Sequence, residues 1–305
     1  MRFSCIVTNY NYGIYINDCL TSLASQTKQF DQIIIIDDGS TDNSRDIIKD
    51  FCQQHGNATH IFKTNGGQLS CFNAACRLIE ANDFVFFLDS DDIYPDDYLE
   101  KTSEFITKTD AEFIFTKPHQ FSDEKTLMKS SCNSSERNHL FHSTSALTRA
   151  THCWIGDVTS CLCIRGSLYH AIFPFPHEKD WITRADDIIV FGSSILGSHK
   201  LYIRSLSVNY RMHSNNNFAG VDISAEEKVD LRLRYERLFE WFSHKSGVPR
   251  WPSLKNALHE SLIIPVPLRR QLGIPSPTNI FLFKLLAFAP PIKIILKDII
   301  RPKQL

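Results

Sequence analysis

Four consecutive isoleucines, Ile33 to Ile36, constrain this chain more than any other feature. A β-branched run is stiff at χ1 and apolar on both sides, so it reads as a strand buried on both faces of a sheet. The run ends in Asp37-Asp38-Gly39-Ser40, and other apolar runs end in polar clusters in the same way. Phe3 to Thr8 leads into Asn9-Tyr10-Asn11, and Phe84 to Leu88 leads into Asp89-Ser90-Asp91-Asp92. His60 to Phe62 and Glu112 to Thr116 supply two further short strand signals. Between them lie helical stripes: Ile16, Leu20 and Leu23; then Ile47, Ile48 and Phe51 behind a Ser40-Thr41-Asp42 start; then Leu69, Phe72, Cys76 and Ile79. Alternating strands and helices predict an α/β fold with a mostly parallel, doubly wound, Rossmann-like sheet carrying helices on both faces.

Beyond residue 116 the pattern loosens. Residues 117–152 are polar and rich in Ser, Asn and His, which predicts a long surface excursion. Thr159 to Ile164 then reads as a strand, Asp187 to Leu196 as a helix, Lys200 to Tyr210 as one or two strands, and 225–245 as a helix. A net charge of -1 gives no strongly basic field, which excludes the simplest nucleic-acid reading. Nine cysteines without a C-x-x-C pair, and a short polar N-terminus, predict free thiols in a cytoplasmic protein. The last 45 residues set seven Lys and Arg against Asp298 in an apolar background broken by Pro290-Pro291. That tail is too short and interrupted to span a bilayer, but it suits the inner surface of an anionic membrane. Helices packing on their own domain or on a second subunit would carry the same stripe.

In open parallel sheets, ligands bind beyond the carboxyl ends of the strands, so the polar clusters there carry functional weight. Asp89, Asp91 and Asp92 concentrate carboxylates at one rim, the kind of oxygen ligand that Mg²⁺ or Mn²⁺ shares with a diphosphate. An Asp-rich turn capping the next helix would look the same in isolation, and so would Asp37-Asp38 ahead of theirs. Their joint occurrence at successive strand ends is what favours a site. Cys132, His139, His142, His152 and Cys153 match no zinc-finger spacing. No G-x-x-x-x-G-K-[ST] run is present, against a P-loop ATPase, and the Q-x-x-R-W run of processive polysaccharide synthases is missing.

The order Val7-Thr8-Asn9-Tyr10-Asn11, Ile36-Asp37-Asp38-Gly39-Ser40, Asn65-Gly66-Gly67 with Asn73-Ala74-Ala75, and Leu88-Asp89-Ser90-Asp91-Asp92 closely resembles the family 2 glycosyltransferases of GT-A fold. The resemblance covers about residues 3–215, although the family usually carries Pro where Asn9 stands. It implies an inverting enzyme that moves one sugar from a nucleoside-diphosphate donor, UDP-linked, to a hydroxyl of a saccharide or lipid-linked acceptor. Thr8, Tyr10 and Asp38 would hold base and ribose, Gln68 and Asn73 would lie over the donor, and Ser90 would join them. Asp89 and Asp91 would hold the divalent cation, with Asp91 favoured as the direct ligand. Asp187, in the pair Asp186-Asp187, would be the general base, and Arg211 and His213 would approach the diphosphate. Trp181 is a candidate face for an acceptor sugar. The expected division is a nucleotide-sugar half at 1–116, an acceptor half at 117–215, and a C-terminal helical extension at 216–305. A nucleotidyltransferase of related fold, or a non-catalytic nucleotide-sugar binder that docks on membranes, is the alternative.

Overall fold

The computed structural model describes residues 1–122, 126–132, 135–213, 224–249 and 252–287. The apolar basic tail beyond residue 287 lies outside the described residues.

The first strand, β1 (Arg2–Asn9), pairs in parallel with β2 (Gln32–Asp37) on one side and β4 (Asp83–Asp89) on the other, and β3 (Ala58–Phe62) adds parallel to β2 at the sheet edge. Three helices make the crossovers: α1 (Ile16–Ala24), α2 (Ser44–Gln54) and α3 (Gln68–Ala75). The isoleucine strand is buried on both faces as its composition requires. Residues two apart share a face. Cys5, Val7, Ile33, Ile35, Phe86 and Leu88 therefore pack with Leu20, Leu23, Tyr94 and Tyr98 in one core, which also takes in Cys161 and Cys163. On the opposite face Phe87 meets Phe72 with ring centroids 5.0 Å apart. All nine cysteines are free thiols.

Past β4 the sheet departs from a uniformly parallel arrangement. Helix α4 (Tyr98–Ile106) leads to β5 (Phe113–Phe121), and the full order is β3-β2-β1-β4-β7-β5-β8-β6, with β6 at His139–Phe141, β7 at Leu162–Arg165 and β8 at Lys200–Arg211. Strand β7 runs antiparallel to both β4 and β5, so the sheet is mostly parallel but mixed. Alternation along the chain fixes which elements exist, whereas pairing direction depends on where a later segment returns.

The expected excursion over 117–152 is in part regular structure. Strand β5 continues past a register break and pairs Lys117 to Phe121 with Ser207 to Arg211 of β8, and α5 (Ser145–Thr151) buries Leu147. Ladder hydrogen bonds hold this stretch of β5, so its polar side chains concealed a strand. The strand expected at Thr159 begins instead as a 3₁₀ turn, Thr159–Cys161, ahead of β7.

The chain divides into two compact units. One comprises Met1–Leu140, Gly156–Ile189 and His199–Lys228, and carries the strand ends. The other comprises Phe141–Ile155, Val190–Ser198 and the described residues from Val229 on. It contains α8 (Ala225–Ser246) from its second turn, α9 (Leu254–Ile263), α10 (Val266–Gln271) and α11 (Pro277–Ala287). Among the described residues no helix is long and apolar enough to cross a membrane.

Candidate active site

The carboxyl ends of β1, β2 and β4 lie side by side, because Thr8 is in register with Ile36 and with Asp89. The Thr8 hydroxyl donates to Asp89 Oδ1 at 2.8 Å. At the neighbouring end Asp37 is buried and takes hydrogen bonds from Ser40 N, Arg45 Nε and Asn9 Nδ2. Burial alone would raise its pKa, but bonds from Ser40, Arg45 and Asn9 outweigh that and hold it below the usual carboxylate range. Asn9 thus ties β1 to the β2 turn through its side-chain amide, which donates to Asp37 and Ser40.

Asp38 faces the next loop. Its carboxylate pairs with Lys63 and accepts from Gly66 N at 2.9 Å and Gly67 N at 2.7 Å. Gly67 has φ of 86°, and a Cβ there would lie 2.3 Å from Ile182 Cα, so the close approach of two backbones requires glycine. Gln68 N then donates to Ile182 O at 2.8 Å. The first helical residue of α3 is thereby fixed against the segment before α7 (Asp186–Ile195).

Gln68 joins the two ends of the site. Its Nε2 donates to Asp89 Oδ1 at 2.8 Å and to Thr159 Oγ1 at 3.2 Å, while its Oε1 accepts from Ala185 N at 3.1 Å. One side chain therefore spans the β4 rim and the residue ahead of Asp186-Asp187. The Asp187 carboxylate is buried and pairs with Arg184 Nε at 3.0 Å; Arg184 itself sits in the left-handed region with φ of 62°. Burial, then the charge of Asp187, push the Asp186 carboxyl up to about 8.

Around the β4 end the carboxyls repel one another. Burial and the Asp91 charge push Asp89 up to about 7, and Asp92 is pushed well above the usual range by burial and by both neighbours. Asp92 serves as a clamp: its carboxylate accepts from Ser160 Oγ at 2.5 Å and from Arg211 N at 2.9 Å. Asp91 Oδ2 meets His213 Nε2 at 2.9 Å, and Arg211 Nε donates to the Asp91 carbonyl at 2.8 Å. The His213 ring stacks on Tyr15 at 4.9 Å and meets Tyr12 edge-on at 5.6 Å. Burial, with Asp91 and Asp89 charges adding, pushes the Tyr12 phenol up, so it stays protonated as a donor.

The structure thus brings Thr8, Gln68, Asp89, Asp91, Asp187, Arg211 and His213 into one hydrogen-bonded and electrostatic network, while Asp38 spends its carboxylate on Lys63 and the Gly66-Gly67 backbone. Tyr10 stands 47% exposed next to it. Asn73 spends its amide elsewhere, bonding Phe175 N, Phe175 O and Glu178 Oε1 in the turn after α6 (Gly166–Ile172). Trp181 is fully buried, so it offers no open face to a sugar. Arg184, Tyr12, Tyr15 and Thr159 went unnoticed as site residues in the sequence, and Asp92, noted there among the rim carboxylates, turns out to be a clamp. Only Arg184 left a readable signal there, three residues ahead of Asp187 at a helix start.

The donor set suits a divalent cation shared with a ligand. Among the described residues no group of three or more His, Cys, Asp or Glu is placed to hold a metal ion. Two mutually repelling rim carboxylates, Asp89 and Asp91, with the Ser90 hydroxyl buried and unpartnered, would suit an ion that keeps substrate oxygens as its remaining ligands.

Two effects follow from these contacts. Gln68→Ala should lower kcat about 10- to 100-fold, the worth of a charge-assisted bond in a positioning role. Thermal stability should fall modestly as well, since the same three bonds hold the ligand-free fold, and Gln68→Glu should be worse because it sets a carboxylate against Asp89; a fully active Gln68→Ala would remove the linkage. The second effect concerns pH. Asp89 and Asp186 have native pKa values near 7 and 8 against 3.8 for an ordinary Asp, so between these limits the native state binds more protons than the unfolded chain. Their contribution to stability is complete below about pH 4 and is lost as pH rises through 7 to 8. The melting temperature of the ligand-free protein should therefore decline from pH 5.5 to 8.5, with a shallower slope in Asp186→Asn. An unchanged slope in that variant would contradict the assignment.

Comparison with known proteins bears on the family and the fold. The family described as Glycosyl transferase family 2 matches residues 4–171. An uncharacterized glycosyltransferase of Nostoc, alr2836, is 30% identical over 77% of this chain and 73% of its own length. Glycosyltransferase GlyA of Streptococcus pneumoniae is 30% identical over 41% of this chain, but only 18% of that protein is matched. Among solved structures, Staphylococcus aureus TarS 1-349 with UDP-GlcNAc superposes with a TM-score of 0.59 at 21% identity, covering 92% of this chain and 74% of that one. The mannosyltransferase PcManGT from Pyrobaculum calidifontis, solved with GDP-Man and Mn²⁺, superposes with a TM-score of 0.51 at 14% identity over 96% of this chain and 82% of its own. At those identities the likeness establishes the fold, which is GT-A.

Proposed function

The chain belongs to glycosyltransferase family 2, and from that premise we propose that it moves one sugar, with inversion, from a UDP-linked donor to a hydroxyl of a saccharide or lipid-linked acceptor. The setting is cell-surface polysaccharide or lipopolysaccharide assembly, at the cytoplasmic face of a membrane. The observation that carries the reading is the Gln68 bridge, which places the donor-side carboxylate Asp89 and the head of the Asp186-Asp187 helix in one bonded unit.

Asp187 takes the proton of the incoming hydroxyl as its oxygen attacks the anomeric carbon. The ion pair with Arg184 orients the carboxylate, and the raised Asp186 carries the proton that two adjacent buried carboxyls would otherwise dispute. Asp89 and Asp91 would hold Mg²⁺ or Mn²⁺, which when bound stabilises the departing diphosphate. Arg211 and His213 add positive or donor character at the same rim, each fixed by Asp91. Thr8 and Asp38 keep the strand ends in register with the loop carrying Gly66 and Gly67, while Tyr10 is exposed where a base can stack. The expected division is a donor half over 1–116, an acceptor half over 117–215, and a C-terminal extension.

The test is a screen of nucleotide sugars with each cation, reading the released nucleotide and the anomeric configuration of the product. Nucleoside diphosphate and an inverted product support the reading. Pyrophosphate would turn it to a nucleotidyltransferase, and donor binding without turnover to a non-catalytic binder.

A further inference from the structure

The second compact unit carries a surface that sugar transfer does not use. Among the described residues eleven large apolar side chains stand most exposed, and five of them fall between Leu262 and Leu282: Leu262 63%, Ile263 52%, Val266 48%, Phe281 49% and Leu282 40%. Scattered exposed apolar residues are ordinary, but a cluster marks an interaction surface. These side chains are outside because the inner stripe is already filled. Ala257 and Ser261 of α9, Ile264 at the break between the helices and Leu268 of α10 occupy it and are buried. Pro265 and Pro267 flank Val266 at the turn from α9 to α10, where the chain presents Leu262, Ile263 and Val266 together. An open groove of about 870 Å³ lies beside them, lined in part by Leu254, Leu258 and Phe281.

Charge identifies the partner. Residues 254–287 contain Lys255, Arg269, Arg270 and Lys284 against a single acid, Glu260. Glu260 is buried and turned inward, accepting from Ser143 Oγ at 2.6 Å and Leu147 N at 2.7 Å. Lys255 and Arg270 are exposed, and Arg269 is half-buried with its guanidinium donating to Ser261 O at 3.2 Å. Among the described residues of α9 to α11 the exposed charged side chains are therefore cations only. A second copy docking by two-fold symmetry would set those cations against their own counterparts with no acid between them. An anionic bilayer satisfies both features, since apolar side chains enter the headgroup boundary while Lys and Arg meet lipid phosphates.

We propose that α9 to α11 form a docking face for an anionic lipid bilayer, with Leu262, Ile263 and Val266 entering the interface and Lys255 and Arg270 on the headgroups. The inference rests on the membrane-side placement proposed above and adds the surface and the lipid charge. Flotation reads neither turnover nor donor binding, so the two readings fail separately.

The full chain is floated with vesicles of phosphatidylcholine alone or of equimolar phosphatidylcholine and phosphatidylglycerol. It should rise with the anionic vesicles only and be released by high salt. Lys255→Glu with Arg270→Glu should weaken partitioning at least about 30-fold, at roughly fivefold for each basic residue near the surface. Leu262→Asp, Ile263→Asp and Val266→Asp together should abolish flotation, while thermal unfolding and nucleotide release in solution stay as in the parent. A parent that stays at the bottom with both vesicle types overturns the proposal, as does a triple variant that floats like the parent. A parent dimer that the triple variant splits, with no flotation, assigns the face to a second copy and also overturns it.

Discussion

Asp187→Asn should lower kcat by about 10²- to 10⁴-fold, the span that a positioned general base contributes. The substitution keeps the shape of the side chain and an oxygen for Arg184 Nε, so packing around this buried residue survives and the loss reports chemistry. Donor KM should move little, because the base acts on the acceptor hydroxyl in the transition state and not on the bound donor. Asp186→Asn supplies the control. Its carboxyl already holds a proton to about pH 8, so a neutral amide resembles the working state and the loss should stay within about tenfold. Equal losses from both variants would move the base to Asp186 or reduce the pair to a structural helix start; normal turnover by Asp187→Asn would end the mechanism.

For Asp91→Asn the expected result is a fall of about 10³-fold in turnover, comparable to removing one element of an electrostatic stabilisation site. Structural damage and functional loss predict opposite stability changes here. Removing the Asp91 charge relieves repulsion on Asp89 and Asp92, both of which it pushes up, so the ligand-free variant should melt no lower than the parent. The thermal shift that Mn²⁺ with UDP produces in the parent should disappear. His213→Ala, which removes the ring on Asp91 Oδ2 and leaves the carboxylate, should retain part of both the shift and the activity. Full turnover by Asp91→Asn, or by the parent in excess chelator, would falsify a cation role for this rim.

Much of the fold was legible because burial in an α/β sheet writes itself into short windows. The four isoleucines, the Phe84 to Leu88 run and the first two helical stripes each follow from one element's own faces, whereas the stripe from Leu69 to Ile79 leaves α3 after Ala75, passes through a 3₁₀ turn at Cys76–Leu78 and ends extended at Ile79. The segment from Lys117 to Phe121 was not legible, since its ladder to β8 is held by backbone groups that every sequence carries. The antiparallel run of β7 was hidden for a related reason: it depends on a return path through the 40 residues between β5 and β7.

The site divides along the same line. Residue types and spacing alone determined that carboxylates end two apolar strands and that a third acidic pair heads a helix, because those are local facts of strand ends and helix starts. Only the tertiary structure decided what each group does there. It gave Asp38 to a glycine loop, Asp92 to a clamp between Ser160 and Arg211, and Asn73 to a distant turn. It gave Gln68 a bridge between Asp89 and Ala185, the latter 117 residues further along the chain than Gln68. Hydrogen bonds and charge repulsion act through a few ångströms of space and are indifferent to distance along the sequence, so no reading of a window can assign them.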